Sequence, residues 1–251
     1  MKKIALALAF FLAFIAAQSQ AQTSDYQKFR FGFQASPTWS KLTTSDKLIE
    51  SAGTNWGLKL GVMAENYFAP NYAIVTGLGF GFNQGGTIQN GYEAGTFWTK
   101  SELSSENFRS LPKNAKLHYR MTYVEVPIGL KMRGGSNEDS RMKFYAEAPV
   151  FTLGFLTKAL GDVRGTNEKN TEDENIREDV NGLALSWGLG GGIEYEVATS
   201  ATLVAGISYQ KQFTDLTDDG GNVLPAGATE PKSEKSKGTL GIITLRVGVF
   251  F

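Results

Sequence analysis

Seven stretches of this chain alternate apolar and polar side chains with a period of two, an eighth reads as a strand of open phase, and beyond the N-terminal leader no apolar run is long enough for a helix to cross a bilayer. That pattern belongs to strands with two unlike faces. The last stretch, Gly238 to Phe251 (GTLGIITLRVGVFF), shows it most clearly: Ile243, Leu245, Val247, Val249 and Phe251 form one apolar row, and Ile242, Thr244, Arg246, Gly248 and Phe250 form a mixed one. A chain that stops on an aromatic with no polar tail suits the closing strand of a transmembrane barrel.

The other seven stretches supply a barrel for it to close. Lys28 to Ser40 places Phe29, Phe31, Phe33, Ala35, Pro37 and Trp39 opposite Arg30, Gly32, Gln34, Ser36 and Thr38. Asn55 to Phe68 and Tyr72 to Asn83 repeat the arrangement around a tight turn at Ala69-Pro70-Asn71. In Leu117 to Arg133 the apolar row changes phase, from Leu117, Tyr119 and Met121 to Val124, Val126, Ile128, Leu130 and Met132, which predicts a β-bulge near Thr122 or Tyr123. Arg141 to Phe155 is apolar on both rows, so its phase stays open. Gly182 to Val197 and Thr202 to Phe213 complete an even set of eight.

The connections alternate in length: long at Lys41 to Gly53, Gln84 to Lys116, Thr157 to Asn181 and Thr214 to Lys237, short at Pro70, Gly134 and Thr199. Outer-membrane barrels have short periplasmic turns and longer outer loops, so this alternation predicts an all-β, eight-stranded antiparallel up-and-down transmembrane barrel with both termini periplasmic. Two aromatic girdles are expected, from Phe29, Phe68, Tyr72, Tyr195 and Phe251 at the periplasmic ends and Trp39, Trp56, Phe82, Tyr119 and Phe213 at the outer ends.

The N-terminus reads as a secretory signal peptide over residues 1–21: Lys2 and Lys3 precede the apolar run Ile4 to Ala17, and Ser19 and Ala21 fit a cleavage site after Ala21. The mature domain is then 22–251, and the complete lack of cysteine rules out a lipoprotein anchor and a disulfide framework. The 25 basic and 25 acidic residues balance, which gives no electrostatic reason to expect nucleic-acid binding. Twenty-nine glycines with 12% aromatics fit closely packed strands.

The whole mature chain, with the fourth-strand segment YVEVPIGLK (Tyr123 to Lys131) and the terminal Phe251, resembles the PorT-like outer-membrane β-barrel domain family, related in shape to OmpX and OmpA barrels. That resemblance implies residence in outer-membrane lipid. For some members it also implies a role in a protein secretion or transport system. The C-terminal row Leu245, Val247, Val249 and Phe251 resembles the signal by which such barrels are recognised by the barrel-assembly machinery.

An eight-stranded barrel has an interior that side chains can fill. The inward rows offer Arg30, Lys59, Glu65, Glu125, Lys131, Glu194, Glu196 and Arg246, expected to form a structural ion-pair network. His118 is the only histidine, and the loops hold Ser101, Ser104, Asp173 and Asp179 as conceivable partners, but no spacing selects among them. Asp215 to Gly220 lacks the acid a calcium loop needs at its twelfth position, where Ala226 stands, and Glu172-Asp173-Glu174 reads as a solvated charge run. Gly188 to Gly192 lies within a strand pattern and is no dinucleotide fingerprint. The sequence thus predicts no catalytic residue, no metal and no cofactor. Its leading reading is a non-enzymatic scaffold that binds a partner, such as an extracellular protein, through its long loops; a secretion or transport component and a small diffusion channel are the alternatives.

Overall fold

The structure, a computed structural model, describes residues 28–135, 140–164, 170–217 and 220–251. The expected signal peptide and cleavage site, and Asp218 and Asp219 of the calcium-like stretch, lie outside the described residues.

Among the described residues thirteen strands form: β1 (Phe29–Thr44), β2 (Ile49–Ala69), β3 (Tyr72–Asn90), β4 (Ala94–Thr96), β5 (Ser110–Pro112), β6 (Lys116–Gly134), β7 (Met142–Arg164), β8 (Thr171–Asn175), β9 (Leu183–Ala198), β10 (Ala201–Gln212), β11 (Asn222–Leu224), β12 (Lys232–Ser233) and β13 (Gly238–Phe250). Eight of them close a ring in the order β6-β3-β2-β1-β13-β10-β9-β7, with β6 pairing back onto β7. All pairings in the ring are antiparallel. β13 sits between β1 and β10 as expected, with Phe33 opposite Val249 and Leu203 opposite Val249 on the other side. The first described residues, at the start of β1, and Phe251 lie at one end of the ring, the turn end; the longer connections lie at the other, the loop end.

The outward rows carry an apolar belt nearest the turn end. Phe33, Ile74, Ile128, Phe151, Leu203 and Val247 all stand about half exposed or more. A continuous band of this kind is covered only by a bilayer. Its lower border includes Phe68 stacked on Tyr72 at 6.2 Å and Phe31 against Phe251 at 5.8 Å, and its upper border includes Trp39 edge-on to Trp56 at 4.8 Å. Tyr119, expected in the outer girdle, is instead buried inside the barrel. The reason is parity: β6 keeps odd residues inward along its whole length, from Leu117 to Lys131.

The bulge expected in β6 is not there: the strand keeps one phase, and the extra residue at that level belongs to the neighbouring strand. Thr122 faces Lys158 while Tyr123 faces Leu156, so the extra residue is Thr157 of β7. A second slip lies near Pro149, which cannot donate to a ladder: Gly129 faces Val150 and Lys131 faces Glu147. Between them these irregularities switch the inward row of β7 from Tyr145 and Glu147 to Thr152, Gly154 and Leu156, then to Ala159, Gly161 and Val163. One strand with apolar residues on both rows thus keeps its bulk pointing the right way on each segment, which is why no single phase fits it.

The connection expected over Lys41 to Gly53 is no long loop. β1 and β2 run on as paired strands and meet in a four-residue turn, residues 45–48, whose Asp46 Oδ1 accepts the Leu48 N–H at 2.8 Å. β3 and β7 likewise extend past the expected Asn83 and Phe155, to Asn90 and Arg164. All four extensions are at the loop end, where the outward rows turn polar (Lys41, Thr43, Glu50, His118, Arg120) and the inward rows turn apolar (Leu42, Ile49, Ile88, Leu117).

Candidate functional site: an ion-paired lumen under a folded cap

In the turn-end half the inward rows are polar, and their charges meet across the lumen. Lys131 is fully buried between Glu65, at 2.5 Å, and Glu194. Arg30 bonds Glu194 at 3.2 Å, and the Tyr67 hydroxyl donates to Glu65 at 2.9 Å. Phe250, from the inner row of β13, lies under both cations, 5.1 Å from the Arg30 guanidinium and 5.4 Å from the Lys131 ammonium. Such buried charges persist only when paired and hydrogen-bonded. Higher up, Arg246 pairs with Glu147, and Lys59 pairs with Glu125 at 2.7 Å while donating to Gln210 at 2.8 Å. These two pairs border a cavity of about 90 Å³ that Gln34, Thr152 and Thr244 also line. Glu147 Oε1 and Arg246 Nη2, which have no partner among the described residues, belong to the residues around it, and several waters fit there to satisfy them.

Seven of the eight expected lumen residues therefore line the interior, and their carboxylates and cations neutralise one another. Glu196 is the exception. It lies two residues from the end of β9, exposed at the barrel mouth, with its N–H bonded to the Arg141 carbonyl at 2.8 Å. Glu147 and Tyr67 complete the network without having been expected. Glu147 was hidden by the unresolved phase of β7, although it is the one acid in the stretch Arg141 to Phe155.

The loop-end half is built the other way round. Leu42, Ile49, Ile88, Tyr92, Phe97, Trp98, Leu111, Leu117, Tyr119, Met121, Ile176, Val180, Leu216, Val223 and Leu240 belong to one buried apolar cluster that spans strand tops and loops. Trp98 anchors it. Its backbone takes φ +51°, a conformation that bulky residues rarely adopt, and its indole N–H donates to the Tyr119 hydroxyl at 3.0 Å. The ring lies where a Cβ on Gly161 would be, 2.6 Å away, so no other residue fits that position of β7 without displacing it. Arg109 clamps the loop by donating to the carbonyls of Trp98, Thr99 and Ser101.

The loops also pair with one another. β4 and β5, from the connection between β3 and β6, join β11 and β12, from the connection between β10 and β13, in a separate four-stranded sheet. Buried carboxylates stitch the rest: Asp179 accepts the N–H groups of Lys100 and Ser101 at 3.1 and 2.8 Å, and Glu174 accepts that of Ser104 at 2.8 Å. Burial would raise the Glu174 carboxyl, but its bonds from Ser104 and Thr171 hold it below the usual range. Ser101, Ser104 and Asp179 thus serve the cap and do not meet His118.

His118 instead lies between Asp162 and Asn55, with Nδ1 3.2 Å from the first and Nε2 2.8 Å from the second. Arg120 joins Asp162 to Asp173 at 2.7 and 2.6 Å. Burial lowers the His118 pKa, against the pull of Asp162. Both ring nitrogens are engaged, one by a carboxylate and the other by an amide oxygen, and neither by a serine hydroxyl. The acidic run Glu172-Asp173-Glu174 splits three ways, to Arg164, to Arg120, and to Ser104 with Thr171. Among the described residues no group of three His, Cys, Asp or Glu could hold a metal ion. Gly188 to Gly192 lie in β9 against β10, where a Cβ on Gly192 would stand 2.1 Å from the Ala205 carbonyl oxygen.

Residues 16–218 match the family model described as outer membrane protein beta-barrel domain. The chain belongs to that family. As an outer membrane β-barrel protein it crosses the membrane several times. No curated protein matches the sequence. Among solved structures this barrel is similar to OprG from Pseudomonas aeruginosa, at 10% identity and TM-score 0.44 over 90% of this chain and 97% of that one. It is also similar to Neisserial surface protein A, at 14% identity and TM-score 0.38 over 88% and 95%. A third similar structure is the outer membrane protease OmpT from Escherichia coli, at 8% identity and TM-score 0.37 over 92% and 99%.

Proposed function

We propose that this outer membrane barrel is a non-enzymatic scaffold that presents a pre-folded cap of loops to a binding partner outside the cell. One observation carries the reading. The three long connections share an apolar core, and two of them also pair in a sheet of their own, so the surface they expose is fixed before any partner arrives. In this reading residues 1–21 are removed on export, both termini face the periplasm, and Leu245, Val247, Val249 and Phe251 signal assembly. The filled lumen argues against a diffusion channel, and the doubly bonded His118 against a hydrolase.

Cross-linking in native outer membranes, followed by mass spectrometry, compares the wild type with Trp98→Ala. Loss of a partner from the variant while the barrel stays in the membrane supports the proposal; identical partner lists overturn it. A partner list made of secretion components would favour the PorT-like role implied by the YVEVPIGLK segment. Stable single-channel currents in planar bilayers would overturn the closed-scaffold reading.

A further inference from the structure

On the outer wall, just above the apolar belt, β1, β13 and β10 form a notch. Gly241 lies opposite Lys41 of β1 on one side and Lys211 of β10 on the other, so two lysines flank a residue without a side chain. One step toward the turn end the same three strands present Trp39, Ile243 and Tyr209. One step toward the loop end Thr43 pairs with Thr239. The Tyr209 ring floors the notch: a Cβ placed on Gly241 would stand 3.4 Å from its hydroxyl oxygen, an ordinary contact.

The Lys211 ammonium donates to the hydroxyls of Thr43 and Thr239, at 3.1 and 2.9 Å, and these oxygens are 3.2 Å from each other. An ammonium has three donors, so one remains for a ligand. Lys41 is exposed beside it. What sets Lys211 apart is that neutral hydroxyls hold its ammonium in place. Lys59, Lys113 and Lys131 each have a carboxylate partner, whereas neither Lys41 nor Lys211 has one within ion-pair distance among the described residues. Here a cation is positioned by neutral hydroxyls, which fix its place and leave its charge unspent.

We propose that this notch binds the phosphate of a lipid headgroup in the leaflet around the loop end. Depth selects the ligand. The lysines stand one register step above the exposed Ile243 and Tyr209, where an acyl chain lying along the belt delivers its headgroup, and lysines at that level attract anionic lipid. The Tyr209 hydroxyl adds a donor at the lower edge of the notch. The site is independent of the cap and of which side of the membrane the loops face, so its failure and that of the scaffold reading are distinguishable.

The test uses the full mature barrel in nanodiscs containing equal amounts of lipid A and its dephosphorylated form, released into the gas phase for native mass spectrometry. Wild type is expected to retain the phosphorylated form at least about tenfold more than the other, and Lys41→Gln with Lys211→Gln to lose that preference. Gly241→Val, which fills the notch and leaves both lysines, is expected to lose it as well, while Lys47→Gln with Lys235→Gln, on the loops, keeps it. Equal retention of the two lipids by wild type, or an unchanged preference in a folded K41Q/K211Q barrel, overturns the proposal. Displacement of the lipid by millimolar inorganic phosphate overturns the lipid assignment in favour of a free anion.

Discussion

Each long strand of this barrel lives in two environments, and its two rows exchange roles between them. On β1 the inward row runs from Arg30 through Ser36 to Leu42, and the outward row from Phe33 through Trp39 to Lys41. Below the crossover, lipid takes the apolar row and the lumen takes the charges. Above it, water takes the polar row and the interior becomes an ordinary hydrophobic core. The solvent outside therefore dictates what can fill the inside: with lipid around it the barrel gains nothing from burying more apolar side chains, so hydrogen-bonded ion pairs hold the walls together. In water the hydrophobic effect returns, and the loops fold down onto it.

This contrast can be broken most severely at Lys131. Lys131→Met leaves Glu65 and Glu194 buried with only Arg30 to share, and should cost about 3–5 kcal/mol in urea unfolding followed by heat-modifiable migration. Replacing all three at once with Met, Gln and Gln should be milder than the single change; equal or larger losses would mean that the lumen charges stabilise in their own right. In the other half, Trp98→Ala should cost about 3 kcal/mol of cap stability. It should be seen as new proteolysis within residues 91–115 while the barrel still resists unfolding. If barrel and cap fail together, the two halves are one cooperative unit.

Acid should separate them more gently. Despite burial, the bonds that Asp162 receives from the Asp173 N–H and from Arg120 keep its carboxyl low, as Ser104 and Thr171 do for Glu174. The stability these groups contribute is present above the ordinary carboxylate range and is lost as pH falls through their lowered values. His118, lowered by burial, adds to the trend, since the unfolded chain binds its proton first as pH drops below the ordinary imidazole value. Hydrogen exchange of cap amides should therefore rise on acidification from pH 7 to about 3. The smallest effect is expected for Lys113→Ala, which removes an exposed pair with Glu93 and should shift stability by no more than about 0.5 kcal/mol in the same unfolding assay.

The belt and much of the lumen were legible because a period of two with one greasy row is what lipid on one side demands. Reading Arg30, Lys59, Glu65, Glu125, Lys131, Glu194 and Arg246 as inward needed only their place on the opposite row. The strand tops were not legible, because at the crossover the greasy row changes sides without any break in the backbone: in β6 this inversion, from Met121 to Val124, imitates a bulge. Asp162, the acid that His118 meets, is hidden for the same cause, since a stretch whose outward row turns polar reads as loop. The pairing of separate loops into a cap depends on contacts between segments more than a hundred residues apart, such as Gly95 with Val223, and local pattern does not encode them.

The extra residue at Thr157 also has a meaning for changes in chain length. In a strand, one residue added or removed advances the chain by a single step but turns every residue beyond it through half a revolution. Deleting Thr157 would thus act as a rotation of the upper part of β7, swinging Ala159, Gly161 and Val163 out to water and Leu160 and Asp162 into the apolar core. A residue inserted in the four-residue turn between β1 and β2 has no strand beyond it to turn over, because the hairpin can absorb it at its tip. Tolerance to insertion in this barrel is therefore set less by depth in the membrane than by whether anything downstream must keep its facing.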